Sequence, residues 1–324
     1  MTEQTQAKIK LLFECNEDCV FCTEKVDEKD KIKYMDLNEV KKQIDGYCNE
    51  KNLFLVLTGG EPTIRKDIVE IIEYAREKDI DNIAMQTNGV KFADKDFTNK
   101  LVKAGLSFVS VTLTGHNAEI HEAQTKLKDS FEKTIIGLSN LVDSEIRVMV
   151  YIVVTRYNYK DLSKLARLLV EKYPTLEQIQ LTMPCISGGA LTNIYEVVPQ
   201  FTRSYKYVLK AMDIIIKSNI DLTIDNLPLC FLEGYEKYSS EIKTYLRERK
   251  GELRTYEAER LSNRMHKIAN YTNSRRSHKV KADSCKSCIY DYYCDGVWKG
   301  YADKFTVNEL IPIINKRKED INFE

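Results

Sequence analysis

The run Cys15-Asn16-Glu17-Asp18-Cys19-Val20-Phe21-Cys22 decides how this chain is read. Its thiols stand at CxxxCxxC spacing and follow directly on a short apolar run, residues 9–13. The spacing points to iron rather than to a disulfide. A [4Fe–4S] cluster has four irons and takes four thiolates when fully ligated by protein. Three thiolates leave one iron open to something small and reactive. Zinc is the alternative, although structural zinc commonly takes two CxxC-type pairs.

Composition agrees with a folded enzyme-sized chain. The 324 residues are 43% hydrophobic and 30% charged, enough for a sizeable core. Lys+Arg and Asp+Glu balance at 49 each, so no global charge argues for nucleic acid or an anionic membrane. No apolar run reaches the roughly 20 residues needed to span a bilayer. Residues 1–10 are polar and lack a signal-peptide stretch. A cytoplasmic, reducing location is expected, where nine cysteines act as metal ligands or free thiols.

Working outward from the cysteines, strand and helix patterns alternate. Residues 9–13, 53–57, 82–86, 108–113, 147–154 and 178–182 read as strands. Residues 37–48, 64–77, 95–104, 131–141, 162–171 and 201–217 read as helices, and 220–224 as an extra strand. Six strand–helix units with short connections predict an α/β fold, a partial (β/α)6 TIM-like barrel. Each polar signature falls just after a strand, where parallel α/β folds place their ligands. Cys15–Cys22 follows the first strand, Gly59-Gly60-Glu61-Pro62 the second and Thr87-Asn88-Gly89 the third. Thr112-Leu113-Thr114-Gly115 ends the fourth. One mouth of the barrel is therefore expected to gather all of them.

CxxxCxxC with Phe21 before its third cysteine, followed after the second strand by Gly59-Gly60-Glu61-Pro62-Thr63, resembles the paired signature of the radical SAM superfamily. The resemblance covers roughly residues 8–225. It implies a [4Fe–4S] cluster on Cys15, Cys19 and Cys22 whose open iron chelates S-adenosylmethionine. Reductive cleavage would then give a 5′-deoxyadenosyl radical that abstracts a substrate hydrogen. It further implies cofactor contacts from Phe21, Gly59, Gly60, Glu61, Thr87, Asn88 and Thr112. The glycines would let backbone approach the ligand, and Glu61 would accept from its ammonium group. Thr112 would offer a hydroxyl to its ribose. The fourth-strand end departs from the SLDG and HDxxRG pattern of many peptide-modifying relatives: here Thr112–Gly115 precedes His121-Glu122-Ala123-Gln124-Thr125-Lys126. His121 is expected on a helix surface.

A second group, Cys285, Cys288 and Cys294, lies near the other end. A CxxC with a third cysteine close behind is a metal signal, and thiolates suit zinc and iron alike. Beside a first cluster an auxiliary iron–sulfur cluster is expected, in an arrangement that resembles a shortened SPASM or twitch extension. Cys230 is the expected fourth ligand and Cys185 its competitor. Cys185, after the sixth strand, is alternatively a thiol that returns a hydrogen atom to a substrate radical, or a buried apolar filler.

The expected organisation is a radical SAM partial barrel over residues 1–226, a charged helical bridge over 227–284 and a small C-terminal auxiliary-cluster appendix over 285–324. The expected activity is modification of a ribosomally made peptide by crosslink, thioether or epimerisation. A small-molecule or cofactor-biosynthesis reaction is the other enzymatic reading, and a non-catalytic iron–sulfur or zinc binding protein the reading of another class. Expected partners are the substrate and an electron donor such as flavodoxin or ferredoxin. The first strand begins at Ile9, so any leader-peptide-binding protein is expected to be separate.

Overall fold

A computed structural model describes residues 3–25, 35–144, 146–261, 264–269, 275–315 and 323, with the backbone alone for 257–261 and 264–269. Seven parallel strands pair in chain order: β1 (Gln4–Lys10), β2 (Leu53–Thr58), β3 (Asn82–Thr87), β4 (Leu106–Thr112), β5 (Arg147–Val153), β6 (Gln178–Thr182) and β7 (Asp221–Asp225). Between them run α1 (Leu37–Asp45), α2 (Ile68–Glu77), α3 (Lys95–Ala104), α4 (Ala118–Thr125), α5 (Ser130–Asp143), α6 (Leu162–Lys172), the short α7 (Gly188–Thr192) and α8 (Ile194–Val197), and α9 (Phe201–Ile216). The sheet curls into the expected partial barrel. Among the described residues no helix is long and apolar enough to cross a membrane.

The strands alternate faces as a curled sheet requires. In β1, Thr5, Ala7 and Ile9 are buried under the helices, while Gln4, Gln6 and Lys8 line the inner cavity. Helix starts follow local chemistry. Asp36 and Glu39 form a reciprocal capping box at α1, and the Asp94 carboxylate accepts from the first turn of α3.

The segment 227–284 departs from its expected helical form. Among its described residues, α-helix is confined to α10 (Ser240–Arg249) and a short turn at 275–277. β8 (Leu253–Leu261) then lies parallel to β1, from Gln4 opposite Leu253 to Ile9 opposite Ala258. β9 (Arg264–Ala269) returns antiparallel beside β8. Without β8, β1 would present a row of unpaired backbone groups at the sheet edge. The alternating charges of 253–261 fit a strand as well as a solvated helix, which is why their pattern misleads. Residues 262–263 and 270–274 of that segment, and 316–322 and 324 of the expected appendix, lie outside the described residues.

His121 does lie on a helix, α4, but inside the fold, which overturns its surface reading. The ring is 1% exposed, and its Nδ1 accepts from the Thr114 N–H at 3.3 Å. That bond puts the ring proton on Nε2, which is buried without a hydrogen-bond partner. Around it, Gln124 and Asn158 both donate to the Thr114 carbonyl, at 3.0 and 2.9 Å, and Thr155 donates to Gln124 at 2.6 Å. Burial lowers the His121 pKa to about 4. The unfolded chain therefore takes up this proton as pH falls through about 6.5, and the folded chain resists until about 4. Stability from this group is full above the unfolded value and declines by on the order of 3 kcal/mol across that window. Denaturant midpoints measured from pH 7 to pH 4 should fall less steeply in His121→Gln than in the parent; equal slopes would refute the assignment.

Candidate functional site

The loop carrying Cys15, Cys19 and Cys22 leaves β1 and is gripped from three directions. From the β2 side, the Gly60 N–H donates to the Leu12 carbonyl at 2.7 Å and the Glu61 N–H to the Glu14 carbonyl at 2.9 Å. A Cβ on Gly60 would lie 2.0 Å from the Glu14 oxygen, so only glycine admits this approach. From below, the Asp18 and Val20 N–H groups donate to the last carbonyls of α4, Thr125 and Gln124, at 3.0 and 2.9 Å. From the β6 side, the Gly189 N–H donates to the Cys22 carbonyl at 2.8 Å, where a Cβ would lie 2.7 Å from the Val20 carbonyl oxygen. Gly59 and Gly60 press against the cysteine loop's own backbone, which positions the thiols.

Glu61 is enclosed by the same loops. Its side chain is 1% exposed and accepts from Thr63 Oγ1 at 2.6 Å, Thr87 Oγ1 at 2.7 Å, the Asn88 N–H at 2.8 Å and the Thr63 N–H at 3.1 Å. Four protein donors make it a brace between the β2 and β3 loops. Burial nonetheless raises its pKa above the ordinary carboxylate value. Thr87 thereby belongs to the brace. Asn88 faces the thiols: its Nδ2 donates to Asn16 Oδ1 at 2.8 Å and stands 4.0 Å from Cys15 Sγ. Thr112 shares the inward face of β4 with Ser110, and Phe21 packs against the core beside the loop.

Burial also pushes the Cys15 thiol up to about 12 and the Cys19 and Cys22 thiols above their ordinary value. Cys19 donates to Glu17 Oε2 at 3.2 Å. Iron bound here must therefore displace these protons, which couples loading to pH. Among the described residues no three His, Cys, Asp or Glu side chains converge on a single-ion site. A cubane binds each thiolate to a different iron, so its ligands need not meet at one point.

The second thiol group closes on a small pocket lined by Cys230, Cys285, Cys288 and Cys294. The Ile313 N–H donates to Cys288 Sγ and the Gly296 N–H to Cys294 Sγ, both at 3.4 Å. Backbone bonds from Ile311 and Leu229 favour the Cys230 and Cys294 thiolates against burial, which holds Cys230 up at about 12 and Cys294 at about 11. Four sulfurs, three of them with backbone N–H donors, suit an iron–sulfur cluster, whose potential such bonds tune. Cys185, the competitor for the fourth place, stands elsewhere.

It lines the barrel's inner cavity, about 510 Å³, whose wall also carries Lys8, Gln86, Ser110, Tyr151 and Gln180. Formal charges on that wall balance: Lys8, Arg147, Arg247 and Arg275 against Glu177, Asp225, Glu241 and Asp295. Where the C-terminal segment meets the barrel, Arg275 Nη2 reaches Asp225 Oδ1 at 3.0 Å and Glu241 Oε1 at 2.7 Å, while Lys279 also pairs with Glu241. Against the cost of burial, Arg275 and Lys279 hold the Asp225 carboxyl below its ordinary range. Arg276 Nε pairs with Asp295 at 2.6 Å. Sequence reasoning missed Gly188, Gly189, Asn226 and Arg275. For the glycines a signal existed: Ser187-Gly188-Gly189 follows a strand end, as Gly59-Gly60 does.

Residues 9–169 match the family model of the Radical SAM superfamily. Fe-coproporphyrin III synthase of Methanosarcina barkeri is 31% identical over 158 residues, 49% of this chain and 39% of that protein. A probable GTP 3′,8-cyclase of Methanocaldococcus jannaschii is 27% identical over 237 residues, 71% of each chain. The chain thus spans less than half the length of the first of these relatives. In three dimensions, Streptococcus suis SuiB bound to S-adenosylmethionine superposes with a TM-score of 0.64 at 14% identity, over 96% of this chain and 77% of SuiB. SuiB bound to its precursor peptide SuiA gives 0.62 at 13% identity, over 97% and 76%. At those identities the superpositions speak for the fold.

Gly60→Ala tests the grip on the cysteine loop. After anaerobic iron–sulfur reconstitution it should hold about four fewer irons per chain than the parent, the content of one cubane. Full iron content in the variant would show that the close approach is dispensable.

Proposed function

We propose, from the premise that this chain is a radical SAM superfamily enzyme, that it modifies a ribosomally made peptide held in the barrel's inner cavity. Cys15, Cys19 and Cys22 would ligate the [4Fe–4S] cluster, with S-adenosylmethionine at its open corner beside Phe21, Asn88 and Thr112. When bound, cluster and cofactor together supply a 5′-deoxyadenosyl radical able to abstract a substrate hydrogen. The chain's own part is positional: Gly59, Gly60 and Gly189 fix the loop and Glu61 braces it. Cys230, Cys285, Cys288 and Cys294 would hold the auxiliary iron–sulfur cluster with no open corner, suiting it to electron exchange. Residues 1–226 would form the catalytic barrel and 285–324 the cluster-bearing appendix.

The observation that carries the peptide reading is the cavity wall. Its four cationic and four anionic side chains cancel, and Arg147 and Arg275 already lie beside Glu177, Asp225 and Glu241. A nucleoside triphosphate needs several converging cations. A peptide backbone offers alternating N–H and C=O groups, which the amides of Gln86 and Gln180 and the hydroxyls of Ser110 and Tyr151 can meet. The small-molecule reading is favoured by the sequence relatives, whose names describe reactions on a tetrapyrrole and a nucleotide.

Cys185 would return a hydrogen atom to the substrate radical. Its S–H bond breaks and a C–H bond forms. The thiyl left on sulfur regains its hydrogen from one proton and one electron, the electron coming from the low-potential flavodoxin- or ferredoxin-type donor that also starts the cycle. Burial raises the Cys185 pKa, which keeps it a thiol with a hydrogen to give. A cytoplasmic setting and a separate leader-binding protein fit the same reading.

Anaerobically reconstituted protein should bind about eight irons per chain, two cubanes. With dithionite it should convert S-adenosylmethionine to 5′-deoxyadenosine. Cys230→Ala should lower iron content while leaving the N-terminal cluster in place. Zinc in the C-terminal site would remove the auxiliary cluster from the proposal, and no cofactor cleavage with both sites loaded would overturn the enzyme reading. Peptides encoded beside the gene, incubated with loaded enzyme in D2O, separate substrate classes: deuterium or a mass change in the peptide supports the first, and unaltered peptides favour the small molecule.

A further inference from the structure

Asn226 follows β7 directly, at φ 60°, and is 4% exposed. Its Oδ1 accepts from Arg275 Nη2 at 2.7 Å and from Trp298 Nε1 at 3.1 Å. Both partners can only donate, which fixes the orientation of the amide. Nδ2 must then face the other way. Its two hydrogens serve four acceptors: Met183 O at 3.2 Å, Thr182 Oγ1 at 3.4 Å, Cys185 Sγ and Asp225 Oδ2 at 3.5 Å each. One side chain therefore touches the cavity thiol at one end and two residues of the C-terminal segment at the other. That segment is the one that carries Cys285, Cys288 and Cys294.

We propose that Asn226 is a positioning residue that couples the docked C-terminal segment to Cys185, holding the sulfur as an acceptor so that its hydrogen faces the cavity. This rests on the reading of Cys185 as a hydrogen donor. Trp298 and Arg275 clamp the amide oxygen, and the clamped amide sets which groups share its two hydrogens. Loosening the clamp at Trp298 reaches Cys185 without touching it. The charged groups that face this thiol are Asp225 after β7 and, from the C-terminal segment, Arg275 and Lys279.

Two variants divide the junction. Trp298→Phe keeps a ring beneath Lys279 and Arg275 but removes the donor to Oδ1. Asn226→Asp keeps the acceptor for Arg275 and Trp298 and removes the donor to the sulfur. In cluster-loaded full-length protein, iodoacetamide labelling of Cys185 is followed by mass spectrometry across pH. Both variants should label about two- to tenfold more slowly at a given pH, the equivalent of one hydrogen bond, with the profile displaced to higher pH. If Asn226→Asp does not fold, Trp298→Phe decides. An unchanged Cys185 profile in a variant with full iron content sinks the coupling. Formation of 5′-deoxyadenosine in the same samples tests the radical reading independently, so the two failures are distinguishable.

Discussion

Three thiols spread over eight residues can face one cluster only if the loop that bears them is held from outside, because nothing within Cys15–Cys22 is regular structure. The Gly60-to-Leu12 and Glu61-to-Glu14 backbone bonds do that holding. They need a backbone approach that a single methyl group would block. The same demand recurs at Gly189 on the opposite wall. A loop pinned at both walls and on α4 has little conformational freedom left to lose when it binds a cluster, and preorganisation of this kind favours binding. Glu61 extends the constraint by fixing the β3 loop to the β2 loop, so that Asn88 stands over Cys15.

A second constraint is the polarity of the barrel's inside. Closed parallel barrels fill their interior with branched apolar side chains. Here the curl is partial, and the inward positions of β1 carry Gln4, Gln6 and Lys8 while their outward neighbours are fully buried under helices. Such a wall cannot close on itself without leaving polar groups unsatisfied, so it stays a cavity. β8 serves that geometry. By pairing with β1 it removes an exposed edge and extends the wall, and Leu253 and Thr255 line the cavity with it.

How much of this was legible in the sequence follows from the range of the interactions. Strands and helices governed by local periodicity, such as β6 at Gln178–Thr182 and α3 at Lys95–Ala104, read at their observed bounds. Cys230, grouped with the three later cysteines on sequence, shares a pocket with them. What failed was set by distant partners. Local pattern does not show that Glu61 accepts from Thr87 and Asn88, more than twenty residues on. His121 looks exposed because its helix is short and polar, and its burial comes from Thr114 and Phe131 packing around it. β8 carries alternating charges that fit either element, and only its pairing with β1 decides between them.

The two thiol groups differ in a way that assigns them different work. The N-terminal group offers three sulfurs, and the loops around them are tied to one another by protein–protein bonds, so a cubane held there would keep one iron open. The C-terminal group offers four, with backbone N–H donors to Cys230, Cys288 and Cys294. A cluster ligated by four sulfurs has no iron left for substrate, so its influence on the reaction passes through electrons or through shape. Shape has a visible route. Cys294 faces the thiol pocket, while the next residue, Asp295, lines the barrel cavity and holds Arg276. Trp298, three residues further, reaches Asn226. Fixing Cys294 on a cluster therefore fixes, within one turn of chain, the wall against which a substrate would lie.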